Sequence, residues 1–442
     1  MAKKERILRP VKRIKGGVRL PHFKNTAENE TENFKPDCVV IPLLQNIGAP
    51  CLPTVMKGDK VFVGTVIGES DAFVSSPVHS SVSGTVRETV KREIGGRSVD
   101  CIVIDSDGNF EPDPKLKPFE VNSAVDLAKA ARRCGLVGLG GAGFPTHIKL
   151  SPPKDSKIDT LIVNAAECEP YITSDYRECM ENPEDILNCI YLILDKLSLE
   201  RVVICVESNK PKAIEKLYEM AADRRDTDDR VKLMRLPTSY PQGAEKVIIY
   251  SATGRKLPIG KLPSDVGCLV MNITSLGTLY RFIKSGMPLT QKRVTVDGTA
   301  VKKPVNIMTP IGTPISELIK LVNVPEEDVS SVIMGGPMMG NAVCDTDSVI
   351  EKRTNAVLIM REEKPARVTP CIRCGKCARA CPMRLFPARV ESAYRFLKTE
   401  DYKKLGVNYC MECGSCSYVC PAKRPLTQIM RVAKAELRRA EK

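Results

Sequence analysis

Two runs near the carboxyl end share one spacing, CxxCxxCxxxCP: Cys371-Ile372-Arg373-Cys374-Gly375-Lys376-Cys377-Ala378-Arg379-Ala380-Cys381-Pro382 and Cys410-Met411-Glu412-Cys413-Gly414-Ser415-Cys416-Ser417-Tyr418-Val419-Cys420-Pro421. That spacing wraps three thiolates around one face of an iron–sulfur cubane and sends the fourth, ahead of a chain-turning proline, to the neighbouring cluster. Ligation is then crossed. One [4Fe-4S] cluster takes Cys371, Cys374, Cys377 and Cys420, and the other takes Cys410, Cys413, Cys416 and Cys381. Structural zinc also accepts four thiolates, but its motifs usually separate two CxxC pairs by about a dozen residues or more. Here four cysteines fall within eleven positions, twice, which favours iron–sulfur. The pair is the one internal repeat, and it makes residues 363–442 a helical two-cluster domain.

Charge and the remaining cysteines bound the rest. The 442-residue chain carries a formal charge of +14, and residues 361–442 hold nineteen Lys/Arg against eight Asp/Glu. Each four-thiolate cubane carries about two negative charges and offsets part of that excess. The remainder predicts a docking surface for a partner subunit around Arg424 to Lys442. The other ten of the 18 cysteines, among them Cys101, Cys189, Cys205 and Cys268, sit in apolar patterns and read as small buried hydrophobes. The basic start Met1-Ala2-Lys3-Lys4 has no apolar stretch behind it, so no secretory signal and a reducing compartment are expected. No run of about eighteen apolar residues occurs, so any membrane contact is expected to be peripheral.

A chain of this length exceeds one hydrophobic core. Residues 1–35 are polar and basic and read as an extended arm. From Cys38 to Asp107, short apolar runs punctuated by Gly and Pro (Cys38-Val39-Val40-Ile41, Val61-Phe62-Val63, Val82 to Val86, Cys101 to Ile104) predict a small β sandwich or barrel over 36–115. Beyond the turn-rich Glu111-Pro112-Asp113-Pro114, helical periodicity over Ala124 to Cys134, Pro183 to Lys196, Pro211 to Ala222 and Gln242 to Thr253 alternates with apolar strands at Thr160, Arg201, Val231 and Cys268. That alternation predicts an open α/β sheet over 116–290. Residues 291–362, with a strand at Val294-Thr295-Val296 and a helix start at Thr313-Pro314, form a β-grasp-sized unit. The fold class is multidomain α/β and α+β.

Gly138-Leu139-Gly140-Gly141-Ala142-Gly143 matches GxGxxG, but a helical pattern precedes it and Phe144-Pro145 follows, so an ordinary dinucleotide turn is disfavoured. Four glycines in six residues still let a backbone approach a flat or phosphorylated ligand, and Lys149 supplies a charge for a phosphate. The next strand ends in Asn164-Ala165-Ala166-Glu167-Cys168-Glu169-Pro170, placing polar groups at the carboxyl end of a sheet strand, where ligands bind in open α/β sheets.

At these residues the sequence resembles the NADH-oxidising, flavin-bearing subunit of respiratory complex I. That family pairs a GxGGAGFP loop and a following Lys with an NADEGEP strand end. The resemblance implies that Gly138, Gly140, Gly141, Gly143, Phe144, Lys149, Asn164, Gly243, Glu245 and Asn272 cradle FMN. It also implies that Glu167 and Glu169, as catalytic residues, border FMN and NAD(H). Ala166 stands where the family has Asp, Cys168 where it has Gly, and Leu150 where it has an aromatic residue. The whole order, from a barrel-sandwich hybrid domain with Pro77-Val78-His79 through the flavin domain and an SLBB-type β-grasp unit to the cluster pair, is similar to the C subunit of Rnf electron transport complexes. In that family the resemblance implies a peripheral subunit at the cytoplasmic face of the cell membrane. It would exchange hydride between NADH/NAD+ and FMN, and pass single electrons through two [4Fe-4S] clusters toward other Rnf membrane and iron–sulfur subunits and, indirectly, ferredoxin. Na+ or H+ transport would occur elsewhere in the complex. No Lys occupies the hairpin from Val78 to Val86, so no lipoylation is expected and His79 reads as structural. A soluble relative, a cobalamin reductase or an electron donor to an amino-acid reductase, is built from the same parts. A zinc-stabilised nucleic-acid-binding protein is the remote alternative, and no nucleic-acid partner is expected.

Overall fold

The computed structural model of the chain describes residues 7–94, 97–153, 156–222, 228–343, 348–362 and 366–440. The basic start, Lys442 and Cys344 lie outside the described residues.

The central unit is a parallel sheet of four strands: β1 (Thr160–Ala165), β2 (Arg201–Glu207), β3 (Val231–Leu236) and β4 (Cys268–Asn272). Their order is β3-β2-β1-β4. Parallel strands are covered on both faces, so they read as continuous Val/Ile/Leu runs. Accordingly Leu161, Ile162, Val202, Ile204, Leu233 and Leu269 are buried, split between a core on each face. Six helices supply the cover: α1 (Ala124–Arg133), α2 (Ser174–Glu181), α3 (Pro183–Lys196), α4 (Pro211–Ala222), α5 (Glu245–Thr253) and α6 (Ile273–Ser285). Ser123 caps α1 by accepting the Asp126 amide proton at 3.2 Å, one of the donors that a helix start leaves unpaired. Helix α5 begins at Glu245, three residues after the predicted Gln242, because Pro241 to Ala244 form a turn instead. From β1 the chain crosses to β2 on one side, and β4 is added on the other. The strand order therefore reverses between β1 and β4, which is where an open α/β sheet offers a crevice.

The amino-terminal sandwich has a four-stranded sheet (Cys38–Pro42, Arg97–Ser106, Gly84–Ile94, Lys60–Val61) facing a three-stranded one (Leu52–Pro53, Val66–Glu69, Val78–His79). Its core includes Val39, Ile41, Ile67, Val82, Ile102 and Ile104. His79 is buried, and burial beside Lys352 depresses its imidazole to about 3, so it stays neutral. Lys352, from the β-grasp unit, donates to the carbonyls of Pro77 at 2.6 Å and Gly135 at 2.8 Å. One buried ammonium thus ties the sandwich hairpin, the root of the glycine loop and the β-grasp unit together.

The β-grasp unit contains a six-stranded sheet and helix Ile315–Leu321. Its edge strand is Thr31–Asn33, paired parallel to Val305–Pro310. The extended arm read from the sequence thus carries a strand. Residues 7–35 are anchored along their course, with Leu8 bridging to Met234 and Val18 to Tyr240, because main-chain pairing needs no apolar period to form.

In the cysteine domain the repeat is visible in the backbone. Arg373 and Glu412, equivalent in the two runs, both take positive φ (54° and 60°), and Gly375 and Gly414 follow at 71° and 79°. Helix Leu426–Ala440 packs over Pro387–Arg395 through Val390, Met430, Ala433 and Leu437.

Candidate functional site

At the β1/β4 reversal the glycine loop lies against the sheet's carboxyl edge. The Leu139 amide donates to Ser275 Oγ at 3.3 Å, and the Gly138 amide to the Phe144 carbonyl at 2.9 Å. Gly140, Gly141 and Ala142 are left exposed or nearly so. A Cβ on Gly140 would stand 2.6 Å from Asn272 Nδ2, whereas one on Gly141 would meet nothing within 4 Å. Asn272 caps α6 by accepting the amides of Thr274 and Ser275 at 2.9 and 3.2 Å, and it donates to Asp175 at 2.7 Å. Asn164 donates to the Gly243 carbonyl at 2.8 Å. Lys149 donates to the Val270 carbonyl at 3.2 Å and stands 3.8 Å from Glu245. The expected FMN residues are therefore gathered at one sheet edge. Asp175, which sequence reasoning missed, anchors Asn272 and Thr274 from the first turn of α2.

Glu167 and Glu169, expected to be catalytic, have other bonds. Glu167, at φ 47°, accepts the amides of Asp175 at 2.6 Å and Tyr176 at 3.2 Å at the start of α2. Glu169 accepts the amides of Met338 and Met339, both at 3.0 Å, and lies 3.4 Å from the Tyr240 hydroxyl. Both carboxylates are engaged with backbone amides. Lys24, also missed, sits beneath them and donates to the carbonyls of Glu167, Glu169 and Ile172 at 3.0, 2.8 and 2.5 Å. Burial pushes Glu167 up to about 7 and Lys24 down to about 8, and each one's charge restrains the other's shift. Lys24→Met is expected to leave three carbonyls short of a donor and cost roughly 3 kcal/mol or more of stability. A fall in the unfolding midpoint, partly restored in Lys24→Arg, is the check.

The second cysteine run closes a cavity lined by Cys410, Cys413 and Cys416 together with Cys381 of the first run. Burial raises the thiols of Cys410 to about 11 and Cys416 to about 12. In the other half the Thr369 amide bonds to the Ala422 carbonyl, and Arg424 donates to the Thr369 carbonyl, drawing Cys420 alongside the start of the first run. Cys371 and Cys374 are exposed. Arg424 corrects a further expectation, because it is buried against Glu391 and does not contribute to a docking face. Among the described residues no three His, Cys, Asp or Glu side chains stand close enough to share one ion. A cubane spreads its thiolates over separate irons.

Tyr240 links the two regions. Its hydroxyl donates to the Cys413 carbonyl at 2.7 Å and lies beside Glu169. The arm fills the seam behind it, where Gly16, at φ 122°, brings its backbone so near the Cys381 carbonyl that a Cβ would stand 2.7 Å from it.

Residues 131–281 match the family model of the Nuo51 FMN-binding domain, 12–109 that of the RnfC barrel sandwich hybrid domain, and 366–431 that of a 4Fe-4S dicluster domain. Over 432 residues the chain is 40% identical to the C subunit of the Na(+)-translocating ferredoxin:NAD(+) oxidoreductase complex of Acetobacterium woodii, covering 96% of this chain and 97% of that one. The chain belongs to the RnfC family, the C subunits of these complexes. A second member, from the proton-translocating complex of Clostridium ljungdahlii, is 39% identical, with 97% of this chain and 95% of that one covered. A third, from the ion-translocating oxidoreductase complex of Rhodobacter capsulatus, is 36% identical over 96% of this chain and 83% of its own length. The fold is also similar to a chain of an NAD+-reducing [NiFe]-hydrogenase, at a TM-score of 0.51 and 18% identity over 72% of this chain and 66% of that one.

The cofactors of this RnfC family member are FMN and [4Fe-4S] clusters, and the sites fit them. The open Gly140–Ala142 backbone leaves room for a flat, phosphorylated group beside Lys149. The cavity enclosed by four thiols, of which burial raises those of Cys381, Cys410 and Cys416 so that they need a strong positive partner to ionise, suits a cluster core. No helix among the described residues is long and apolar enough to cross a membrane.

Proposed function

We propose that this chain is the NAD(H)-facing oxidoreductase subunit of an ion-translocating ferredoxin:NAD+ oxidoreductase complex, held at the cytoplasmic face of the membrane by its partner subunits. The observation that carries the reading is the Tyr240 bridge between the crevice at the β1/β4 reversal and the cavity around Cys413. Bound FMN supplies the exchange between a two-electron hydride donor and one-electron clusters. The chain's own residues do the rest. Gly140 and Gly141 admit the ring and phosphate backbone-close, Lys149 neutralises the phosphate, and Asn164 and Asn272 shape the crevice edge. Glu167 and Glu169, fixed from below by Lys24, hold α2 and the Met338–Met339 loop where they border the nicotinamide. Cys381, Cys410, Cys413 and Cys416 hold the inner cluster, against Tyr240. Cys371, Cys374, Cys377 and Cys420 hold the outer one, whose exposed cysteines face the partner that takes or gives electrons. The divisions at 36–115, 116–290, 291–362 and 363–442 follow these roles. The relatives from Acetobacterium woodii and Clostridium ljungdahlii are named for different ions, Na+ and H+, so overall similarity does not choose the coupling ion.

Anaerobically purified chain is expected to contain about eight iron and eight sulfide with one FMN, and to reduce an artificial dye with NADH. Material free of iron and sulfide, or flavin-loaded material whose spectrum NADH leaves unchanged, would overturn the reading.

A further inference from the structure

The two cysteine runs share a spacing but not their surroundings. Each cysteine of the first run has its counterpart 39 positions on, Cys371 with Cys410, Cys374 with Cys413, Cys377 with Cys416 and Cys381 with Cys420. The same offset pairs Lys376 with Ser415 and Ala388 with Thr427, so the second half has a hydroxyl at two places where the first has none. Both hydroxyl residues line the cavity that Cys410, Cys413, Cys416 and Cys381 share.

Each meets a ligand sulfur. Ser415 is fully buried, and the Cys413 thiol donates to its Oγ at 3.4 Å. Thr427 Oγ1 stands 3.7 Å from Cys416 Sγ and 2.8 Å from Ser417 Oγ, which itself accepts the Thr427 amide at 2.9 Å. Ser417 can therefore donate to Thr427 Oγ1 and leave the Thr427 proton for Cys416. Burial pushes the Cys416 thiol up, and the Thr427 hydroxyl works against that rise. In the first half, Cys377 is met by the backbone amide of Ala388, and Lys376 is exposed. Among the described residues no side-chain hydroxyl bonds to Cys371, Cys374, Cys377 or Cys420. The first run's cations, Arg373, Lys376 and Arg379, are exposed, where water and salt screen them.

A cluster-bound sulfur is a thiolate and only accepts, so in the loaded chain both hydroxyls turn their protons toward sulfur. Hydrogen bonds to ligand sulfurs are among the factors that set a cluster's potential. One-electron reduction, with the electron drawn from the flavin, adds one negative charge and neither forms nor breaks a covalent bond. A donor held against a thiolate therefore stabilises the reduced state more than the oxidised one. We propose that Ser415 and Thr427 are positioning residues that raise the reduction potential of the inner cluster, and that the outer cluster, built on the same ligand spacing, lacks this device. The reduced state next to Tyr240 is thereby favoured. The inference rests on the cluster assignment of the proposed function and adds to it the groups that make the two clusters unequal.

The test is a redox titration, followed by electron paramagnetic resonance, of the anaerobically prepared, cluster- and FMN-loaded full chain. The parent is compared with the double variant Ser415→Ala with Thr427→Val, and with Thr427→Ser. In the double variant one cluster midpoint is expected to fall by the equivalent of a roughly tenfold change in the reduced-to-oxidised ratio, about 59 mV for one electron. The other midpoint is expected to keep its parent value. Thr427→Ser, which retains the hydroxyl, is expected to hold both parent midpoints, whereas Thr427→Val retains the shape, so a role in packing alone predicts no shift from it. Midpoints unchanged in the double variant overturn the proposal, as do two midpoints lowered alike or an equal fall in Thr427→Ser. If the double variant does not retain its clusters, Thr427→Val alone is titrated against the same criteria. Iron and sulfide measured on the parent chain show separately whether the clusters of the proposed function are present.

Discussion

Replacing Cys420 by serine is expected to destroy the cluster of the other cysteine run and spare the one held by its own neighbours. Crossed ligation requires this outcome. In that arrangement Cys420 would join Cys371, Cys374 and Cys377, and Cys410, Cys413 and Cys416 line one cavity with Cys381. Iron should fall from about eight to about four per chain. In the variant, Cys371, Cys374 and Cys377 should become open to alkylation while Cys410, Cys413 and Cys416 stay protected, a pattern read directly by mass spectrometry. Cys381→Ser should give the mirror image. Because the spared cluster in Cys420→Ser is the inner one, NADH should still bleach the flavin, while electron delivery to a protein acceptor should fall by about two orders of magnitude or more. Loss of protection confined to Cys410, Cys413 and Cys416 in Cys420→Ser would refute crossed ligation.

The second large effect is expected from Gly140→Ala. The new methyl group would stand 2.6 Å from Asn272 Nδ2, too close for either to remain in place. Overpacking of this kind costs about 1–3 kcal/mol, and displacing Asn272 from its cap on α6 adds about 1 kcal/mol. With that strain falling on the flavin-bound conformation, FMN affinity should drop roughly 30- to 1000-fold, measured by flavin fluorescence quenching. Gly141→Ala is the internal comparison, since nothing lies within 4 Å of its Cβ, and it should bind FMN within a few-fold of the parent chain. Equal losses in the two variants would mean that the glycines serve backbone flexibility and not a close approach to Asn272.

Much of this was legible in the residues. The α/β sheet followed from continuous apolar runs, and all four of its strands formed where those runs lie. The sandwich was legible too, but of its long strand Gly84–Ile94 only the start was, through the run Val82 to Val86, because beyond it most side chains are exposed and polar and leave no apolar run to detect. Cys101, Cys189, Cys205 and Cys268 are buried as expected. Glu167 and Glu169 were found by position, but their bonds to the amides of Asp175, Tyr176, Met338 and Met339 were not legible, since a carboxylate that caps a helix and one that works on a substrate look alike in a motif.

The division has a physical cause. Ligand sets fixed by short spacings, such as three cysteines within seven residues or a glycine loop before a strand end, are dictated by covalent geometry over a few residues, so the sequence alone determined the cluster type, the flavin-like crevice and the layered α/β core. Lys24 bonding to residues 143 to 148 positions away, and Tyr240 reaching Cys413 across 173, leave no local pattern. Their partners are chosen only when separate units pack, and the tertiary structure alone decided them.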